Sequence, residues 1–334
     1  MKKNVVAIVV VAVIALAGFG TWYFTSSSIT YLGTPESITI GNPSSNAVPA
    51  LIYIADDQGF FARNDLNVTI KNYITSFDVI NDLKDDKIDI SVTTEYTVLT
   101  EVFKKENISI ISIIGKYQEA FLVGRKNRGI ENVSDLKGKK IGLTRGVQGE
   151  FYLGRFLNLH GMSIQDVNLV DIKPSQYVDA IANGSVDAIL TNIFYLDPVE
   201  ERLGNNQVTW PAQSSQPGYW VISSRNDWIT SHPESINRLL KSLDQAEEYI
   251  IEHPDSAKAI VKKRMNYTDA YMATIWPNYQ LSLTLDQSLL IAMNDEGRWM
   301  IDNNLTSEKT LPYFRDYIYT KGMEKVKPEA VNIR

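Results

Sequence analysis

Short runs of β-branched and aliphatic residues alternate with stretches of helical periodicity over residues 38–190. This pattern is typical of a sheet covered by helices, so the sequence predicts an α/β fold. The predicted strands are residues 38–40, 67–71, 88–92, 108–114, 120–124, 140–143, 168–172 and 186–190. After Thr230 the alternation stops and apolar residues recur at helical spacing, which predicts a helical C-terminal third. Ser231 and Glu234 have the spacing of a capping box at its start.

Two stretches of the chain repeat the same order of elements at a constant offset. Residues 77–94 read as a helix, a polar turn and a strand, and residues 175–192 read in the same way. In this alignment Asp89 falls on Asp187. Each unit ends in a polar loop. The repeat therefore predicts two similar α/β lobes that face each other across a cleft.

An apolar run near the N-terminus, residues 5–24, follows two lysines. As a helix it would measure about 30 Å, which is enough to span a bilayer, and Trp22 and Tyr23 suit the headgroup layer. We expect residues 1–24 to be an uncleaved anchor and residues 25–36 to be a flexible tether, with the remainder outside the cytoplasm. The alternative is a cleaved signal peptide.

Composition narrows the classes of function. A chain of 334 residues suits two domains, and a formal net charge of −6 provides no basic face for a nucleic acid. The absence of cysteine excludes disulfides, thiolate metal sites and a lipid-modified cysteine. The three histidines lack metal-ligand spacing, and the sequence has no nucleophile elbow, phosphate loop or dinucleotide-binding glycine pattern. We therefore expect no metal, no cofactor and no catalytic residues.

Four stretches, taken in order, resemble one family of proteins. They are IADDQGFF at 54–61, VSDLKGKKIG at 133–142, ANGSVDA at 182–188, and SHPE at 231–234 continuing to EHPDSA at 252–257. Together they resemble the substrate-binding proteins of the nitrate, sulfonate, taurine and thiamine-precursor ABC importers. The resemblance extends over nearly all of the chain after the tether.

This resemblance implies a type II periplasmic-binding-protein fold. Lobe one would contain residues 37–122 and 223–334, lobe two would contain residues 123–222, and two crossover strands at 121–125 and 219–224 would form the hinge. It also implies a monomer that binds a small anionic or polar organic solute of the sulfonate, nitrate or taurine type. The solute would then pass to an ABC permease and its ATPase.

Polar loops at the carboxyl ends of strands supply the candidate ligand contacts, because ligands of open α/β sheets bind at that edge. In the first lobe the candidates are Ser44, Ser45, Asn46, Thr93, Thr94, Glu95 and Lys116. The loop 41–46 precedes a helix and suits an anion. Glu95 suits an amine or a ring N–H instead, and Lys116 would add a positive charge to the rim. Helix caps, turns and a solvated lysine are the alternatives without a ligand.

The second lobe offers a glycine-containing loop after the strand at 140–143. Its candidates are Thr144, Arg145, Gly146, Gln148 and Gly149. Glycine permits close backbone approach, and the guanidinium could bind an oxyanion through two N–H groups. A solvated arginine on a turn is the alternative. Three more candidates, of which the two aromatic ones would form stacking walls, are Asn192, Tyr195 and Trp220.

One departure from the family leaves the ligand open. Residues 192–195 read Asn-Ile-Phe-Tyr where many members read Trp-Glu-Pro-Tyr, so the acidic residue is missing. A pyrimidine precursor of thiamine is the alternative ligand. Two other functions also remain open, namely an enzyme of the same fold that acts on a small carboxylate, as in menaquinone synthesis, and a sensory binding module.

Overall fold

Two β-sheets organise the computed structural model, which describes residues 35–43, 49–213 and 216–333. The strands are β1 (Glu36–Pro43), β2 (Leu66–Tyr73), β3 (Ile90–Thr94), β4 (Ile108–Tyr117), β5 (Ala120–Arg125), β6 (Lys140–Leu143), β7 (Asn168–Asp171), β8 (Ala188–Asn192), β9 (Gln207–Pro211), β10 (Gly218–Arg225) and β11 (Tyr279–Gln280). The first sheet has the order β11-β4-β10-β3-β1-β2, and the second has the order β7-β6-β8-β5-β9. We call each sheet with its helices the first lobe and the second lobe.

The strand order confirms the predicted repeat. In each sheet a central strand, β1 or β6, lies parallel between two neighbours, and an antiparallel strand, β10 or β5, follows. The repeat extends to single side chains. The Asp89 carboxylate accepts from the backbone N–H of Thr39 at 2.7 Å, and the Asp187 carboxylate accepts from the backbone N–H of Lys140 at 3.0 Å. Each aspartate thus binds the backbone of the neighbouring parallel strand, Thr39 within β1 and Lys140 at the start of β6.

The helices of the described residues cover the two sheets. They are α1 (Ala50–Asp57), α2 (Phe60–Arg63), α3 (Ser76–Lys84), α4 (Glu95–Phe103), α5 (Gln148–Leu159), α6 (Tyr177–Asn183), α7 (Leu196–Leu203), α8 (Asn226–Ser231), α9 (Pro233–Glu252), α10 (Pro254–Met265), α11 (Asp269–Ile275), α12 (Gln287–Asp302) and α13 (Lys321–Val326). The C-terminal third is helical as predicted, and α9 packs on α1 and α2 of the first lobe.

The predicted capping box at Ser231 is wrong. Ser231 is the last residue of α8, and its hydroxyl donates to the carbonyl of Asp227 at 2.8 Å. Helix α9 begins at Pro233 with His232 as its N-cap, and no side chain caps it. Proline has no N–H to satisfy at the first helical position, so this helix can begin without a side-chain cap.

The chain passes between the sheets twice, between Tyr117 and Ala120 and again between Pro211 and Gly218. Each of the two strands predicted to cross between lobes lies wholly in one sheet, β5 in the second and β10 in the first. The lobe boundaries stay a prediction. The two short connections are the segments that link one sheet to the other.

The predicted anchor lies outside the described residues, as does the tether up to residue 34. Over the ranges that the structure describes, no helix combines the length and the apolar character needed to cross a bilayer.

Candidate functional site

Strand ends of the first lobe bring polar and aromatic side chains to one edge. Trp220, near the start of β10, is opposite Thr94 at the end of β3. The ring of Tyr117, at the end of β4, lies 5.6 Å from the Trp220 ring. Both aromatic side chains are buried. This edge faces the second lobe, as expected for a site at the carboxyl ends of strands.

Gln148, the first residue of α5, connects the second lobe to this edge. Its Nε2 donates to Glu95 Oε1 at 2.8 Å and to Glu296 Oε1 at 2.9 Å. Its Oε1 accepts from the Tyr117 hydroxyl. Glu95 begins α4 and Glu296 lies in α12, so one carboxamide joins three elements of the first lobe. All four side chains are buried.

The two carboxyl groups of this contact have raised pKa values. Burial raises the pKa of Glu95 to about 8, although the backbone N–H of Tyr219, at 3.0 Å, and the Gln148 carboxamide act in the opposite direction. Burial, with the Glu95 charge as a second cause, holds the pKa of Glu296 well above its usual range. Near neutral pH the pair therefore retains a proton.

A third carboxyl group, Glu119, lies in the first connection between the sheets. The Tyr279 hydroxyl donates to its Oε2 at 2.7 Å, and burial raises the pKa of Glu119 to about 7. Burial also raises the pKa of Tyr267 and of Tyr271, and the nearby Glu119 charge contributes to both shifts. The Tyr271 ring lies 5.7 Å from Phe194 of the second lobe. Carboxylate oxygens and ring faces together attract N–H donors and cations.

Three buried polar atoms at the same edge have no hydrogen-bond partner among the described residues. They are Asn42 Oδ1, Thr93 Oγ1 and Trp220 Nε1. Asn42 lies near the end of β1, and its Nδ2 donates to the Tyr53 hydroxyl at 2.6 Å. Buried polar atoms are almost always paired, so these three are the atoms to expect on a bound ligand.

The donors of the loop from Thr144 to Gly149 bind the carboxylate of the next residue, Glu150. The Arg145 guanidinium lies 2.8 Å from Glu150, and the backbone N–H of Gly146 donates to the same carboxylate at 2.8 Å. The Thr144 hydroxyl donates to the Ile172 carbonyl at 3.0 Å. Glu150 thus takes the donors that we assigned to an oxyanion. The oxyanion role of Arg145 stays a prediction, in competition with Glu150.

Lys116 does not leave an unbalanced charge at the rim. Its ammonium lies 2.7 Å from the Asp286 carboxylate and 5.4 Å from the centre of the Tyr219 ring. Both partners belong to the first lobe. The positive charge predicted for the rim is therefore balanced within that lobe.

The remaining candidates have local partners. Thr94 caps α4 by accepting from Thr97 N, and Asn192 accepts from Phe194 N at 3.1 Å. Tyr195 packs its ring 5.4 Å from Tyr177. A Cβ atom on Gly149 would contact Leu190 at 3.1 Å. Ser44, Ser45 and Asn46 lie outside the described residues.

Sequence reasoning missed several residues of this site. They are Asn42, Tyr117, Glu119, Tyr271, Tyr279 and Glu296. Asn42 and Tyr117 were within reach, because each lies shortly after a predicted strand, 38–40 and 108–114 respectively. Glu296 carries no such signal, because it lies mid-helix and meets Gln148 only through the tertiary fold. Among the described residues no cluster of histidine, aspartate and glutamate suits a metal ion.

Comparisons with known sequences identify related proteins. Residues 46–257 match a family model described as NMT1/THI5 like. A putative binding protein of Brucella abortus is 28% identical over 177 residues, which are 51% of this chain and 53% of the relative, so the chain spans about half of that relative's length. A putative thiamine biosynthesis protein of Haemophilus influenzae is 26% identical over 225 residues, which are 65% of this chain and 70% of the relative.

Solved structures share the fold. The periplasmic aliphatic sulphonate binding protein SsuA from Escherichia coli superposes with a TM-score of 0.72 at 15% identity, over 86% of this chain and 98% of its own. The desulfurization enzyme DszB superposes with a TM-score of 0.63 at 14% identity, over 88% of this chain and 99% of its own. The predicted periplasmic-binding-protein fold with two α/β lobes is thereby confirmed.

Proposed function

The chain belongs to the NMT1/THI5-like family, and we propose that it is the solute-binding component of an ABC importer, closing two lobes around a small organic ligand outside the cytoplasm. The observation that carries the proposal is the meeting of Gln148 with Glu95 at the strand ends, where each lobe contributes a buried polar group to one site. The sulfonate-binding name of the solved relative and the names of the sequence relatives support it. Binding needs only closure and release.

The ligand that suits this site carries N–H donors and a flat ring. The Glu119 carboxyl group and the side-chain oxygen of Asn42 are hydrogen-bond acceptors, and the Tyr271 ring offers a flat face against which a ligand ring can stack. Arg145 and Lys116, the cations that an oxyanion would need, each already hold a carboxylate. These contacts favour our alternative ligand, an aminopyrimidine of the thiamine-precursor type, over a sulfonate, nitrate or taurine. The thiamine biosynthesis name of the Haemophilus relative agrees with this choice.

A permease with its ATPase is the partner that this function requires. The closed lobes would dock on it and release the solute on opening. Residues 1–24 would hold the monomer at the outer face of the membrane, close to that partner.

An enzyme of the same fold is the second candidate. Carboxyl groups with a pKa near neutrality, such as Glu95 and Glu119, are suited to proton transfer, and the fold is shared with a desulfurization enzyme. Prolonged incubation of the protein with its ligand separates the two candidates, since a binding protein returns the ligand unchanged.

The experiment is a calorimetric titration of the full chain with aminopyrimidines, alkanesulfonates, taurine and nitrate. We expect saturable binding of an aminopyrimidine, lost in Glu119→Gln and retained in Arg145→Ala. Saturable binding of a sulfonate that is lost in Arg145→Ala and retained in Glu119→Gln would reverse the ligand assignment. Chemical turnover of a member of the panel would favour the enzyme.

A further inference from the structure

Three side chains of the proposed site, one from the second lobe and two from the first, contact one another directly. We call Glu95, Gln148 and Glu296 the carboxyl latch. Gln148 Nε2 lies within 2.9 Å of one oxygen from each carboxyl group, so both carboxyl groups converge on one nitrogen of the other lobe. Glu95 and Glu296 are fully buried, and Gln148 is nearly so. Closing the lobes therefore places two acidic groups out of contact with water.

The two carboxyl groups are not equivalent. Both oxygens of Glu95 accept hydrogen bonds, one from Gln148 and one from the backbone N–H of Tyr219. Glu296 accepts only at Oε1, and its buried Oε2 has no partner among the described residues. Two donors suit an ionised carboxylate, whereas an oxygen without a donor suits a protonated acid. The geometry therefore favours a proton on Glu296 Oε2 in the closed form.

Within the part of the chain that the structure describes, no cation is available to balance two negative charges at the latch. The titratable groups that face it are Tyr96, Tyr117, Glu150, Tyr152, Tyr219 and Asp295. The nearby basic side chains are held elsewhere, Lys116 by Asp286 and Arg145 by Glu150. Arg155 lies 4.0 Å from Asp295. Two like charges at this spacing cannot both persist out of water without a counter-charge.

We propose that the carboxyl latch couples closure to proton binding, so that the lobes close with one proton held by Glu95 and Glu296 and open more readily when that proton is lost. The proposal goes beyond ligand binding, because the latch acts with any ligand and without one. Because closure accompanies ligand binding, the affinity for the ligand would then depend on pH.

The direction of the dependence follows from linkage. In open lobes both carboxyl groups would reach water and titrate near their ordinary value of 4.5, whereas in the closed form burial raises the pKa of both Glu95 and Glu296 above that value. The closed form therefore binds more protons over this window. Closure is fully favoured below the window and weakens as pH rises through it. For one proton the ratio of closed to open molecules falls by up to about tenfold per pH unit.

The distance between one label on each lobe tests this proposal. The natural sequence has no cysteine, so Ser134→Cys in the second lobe and Ser256→Cys in the first introduce two unique labelling sites. Both serines are exposed, and both lie outside the latch. The spin-label distance distribution of the full chain is recorded without ligand from acid to alkaline pH. We expect the short-distance population to decline as the pH rises, because the raised pKa values of Glu95 and Glu296 favour the closed form at lower pH.

Glu296→Gln is the matched variant, because its amide nitrogen replaces an oxygen that accepts no hydrogen bond. We expect it to remain closed over the range in which the parent opens. Glu248→Gln, a carboxyl on α9 outside the latch whose pKa burial also raises, is the control and should titrate like the parent. A constant distance at every pH overturns the proposal, as does an unchanged pH dependence in Glu296→Gln. Loss of the pH dependence in Glu119→Gln with retention in Glu296→Gln would assign it to the ligand site instead.

Infrared spectroscopy of the parent protein provides a test that needs no variant to fold. We expect a carbonyl band of a protonated carboxylic acid at neutral pH, part of which persists above the pKa of Glu119, about 7, and is lost only at more alkaline pH. The absence of this band at neutral pH contradicts a shared proton.

Discussion

A Cβ atom on Gly154 would lie 2.6 Å from Nε1 of Trp299. Helix α5 of the second lobe therefore approaches α12 of the first through a position that has no room for a side chain. Phe151, one turn earlier on α5, places its ring 5.8 Å from the same indole. This contact lies beside the carboxyl latch, so the closed form depends on glycine at position 154.

Gly154→Ala should favour the open form. The added methyl group cannot fit beside the indole unless the indole or one of the helices moves, and alanine raises helix propensity by about 1 kcal/mol, which keeps the second lobe stable. We expect a larger radius of gyration by X-ray scattering and weaker ligand binding, with an unchanged helix content. Asn158→Ala, on the exposed end of the same helix, is the control. Unchanged scattering in Gly154→Ala would mean that the contact between α5 and α12 does not hold the lobes closed in solution.

Gln213 joins the two connections between the sheets. Its Oε1 accepts from the backbone N–H groups of Glu119 and Ala120, at 2.7 and 3.1 Å, and its Nε2 donates to the carbonyls of Tyr117 and Gln216. Gln213→Ala leaves these buried groups without partners, so we expect the free energy of unfolding to fall by about 1–3 kcal/mol. Urea unfolding measures it.

The neighbouring Gln118 supplies the control for this prediction. It lies in the first connection and is exposed, and Gln118→Ala should leave the unfolding midpoint near that of the parent. Equal midpoints for the two alanine variants would mean that Gln213 does not brace the connections.

Arg145→Ala should affect stability more than binding. The arginine is 45% exposed, so loss of its pair with Glu150 should cost about 1 kcal/mol in a urea titration. We expect the affinity for a donor-bearing ligand to stay unchanged. Arg202→Ala removes a similarly exposed arginine of the second lobe, whose partner Asp179 is exposed whereas Glu150 is buried, and serves as the reference for a fully exposed pair. A large loss of affinity in Arg145→Ala alone would return the arginine to the ligand site.

The sequence predicted the sheets well because their periodicity is local. Every strand that we placed by alternation is found, and the repeat that aligned Asp89 with Asp187 is carried by two equivalent hydrogen bonds. Strand β9 was missed. Its five residues, Gln207–Pro211, form an edge strand with no buried face, so the run lacks the apolar alternation on which prediction depends.

The site was predicted only in part because its contacts are distant in sequence. Gln148 and Glu95 were both identified as ends of strand-and-loop units, which is a local property. Glu296, the second partner of Gln148, lies 148 residues from it, and nothing in its helix distinguishes it from a solvated glutamate. Arg145 was assigned to a ligand from its loop alone. Its carboxylate partner, Glu150, lies in the helix that follows this loop.

The melting temperature of the full chain with each member of a ligand panel tests the central claim most directly. A ligand that binds only the folded protein raises the free energy of unfolding by about 2.7 kcal/mol at roughly 100 times its dissociation constant. We predict a concentration-dependent rise with an aminopyrimidine that is absent with alkanesulfonates, taurine and nitrate, and that is lost in Glu119→Gln. A rise with a sulfonate that depends on Arg145 would contradict the ligand assignment, and an unchanged melting temperature with every small solute would contradict solute binding itself.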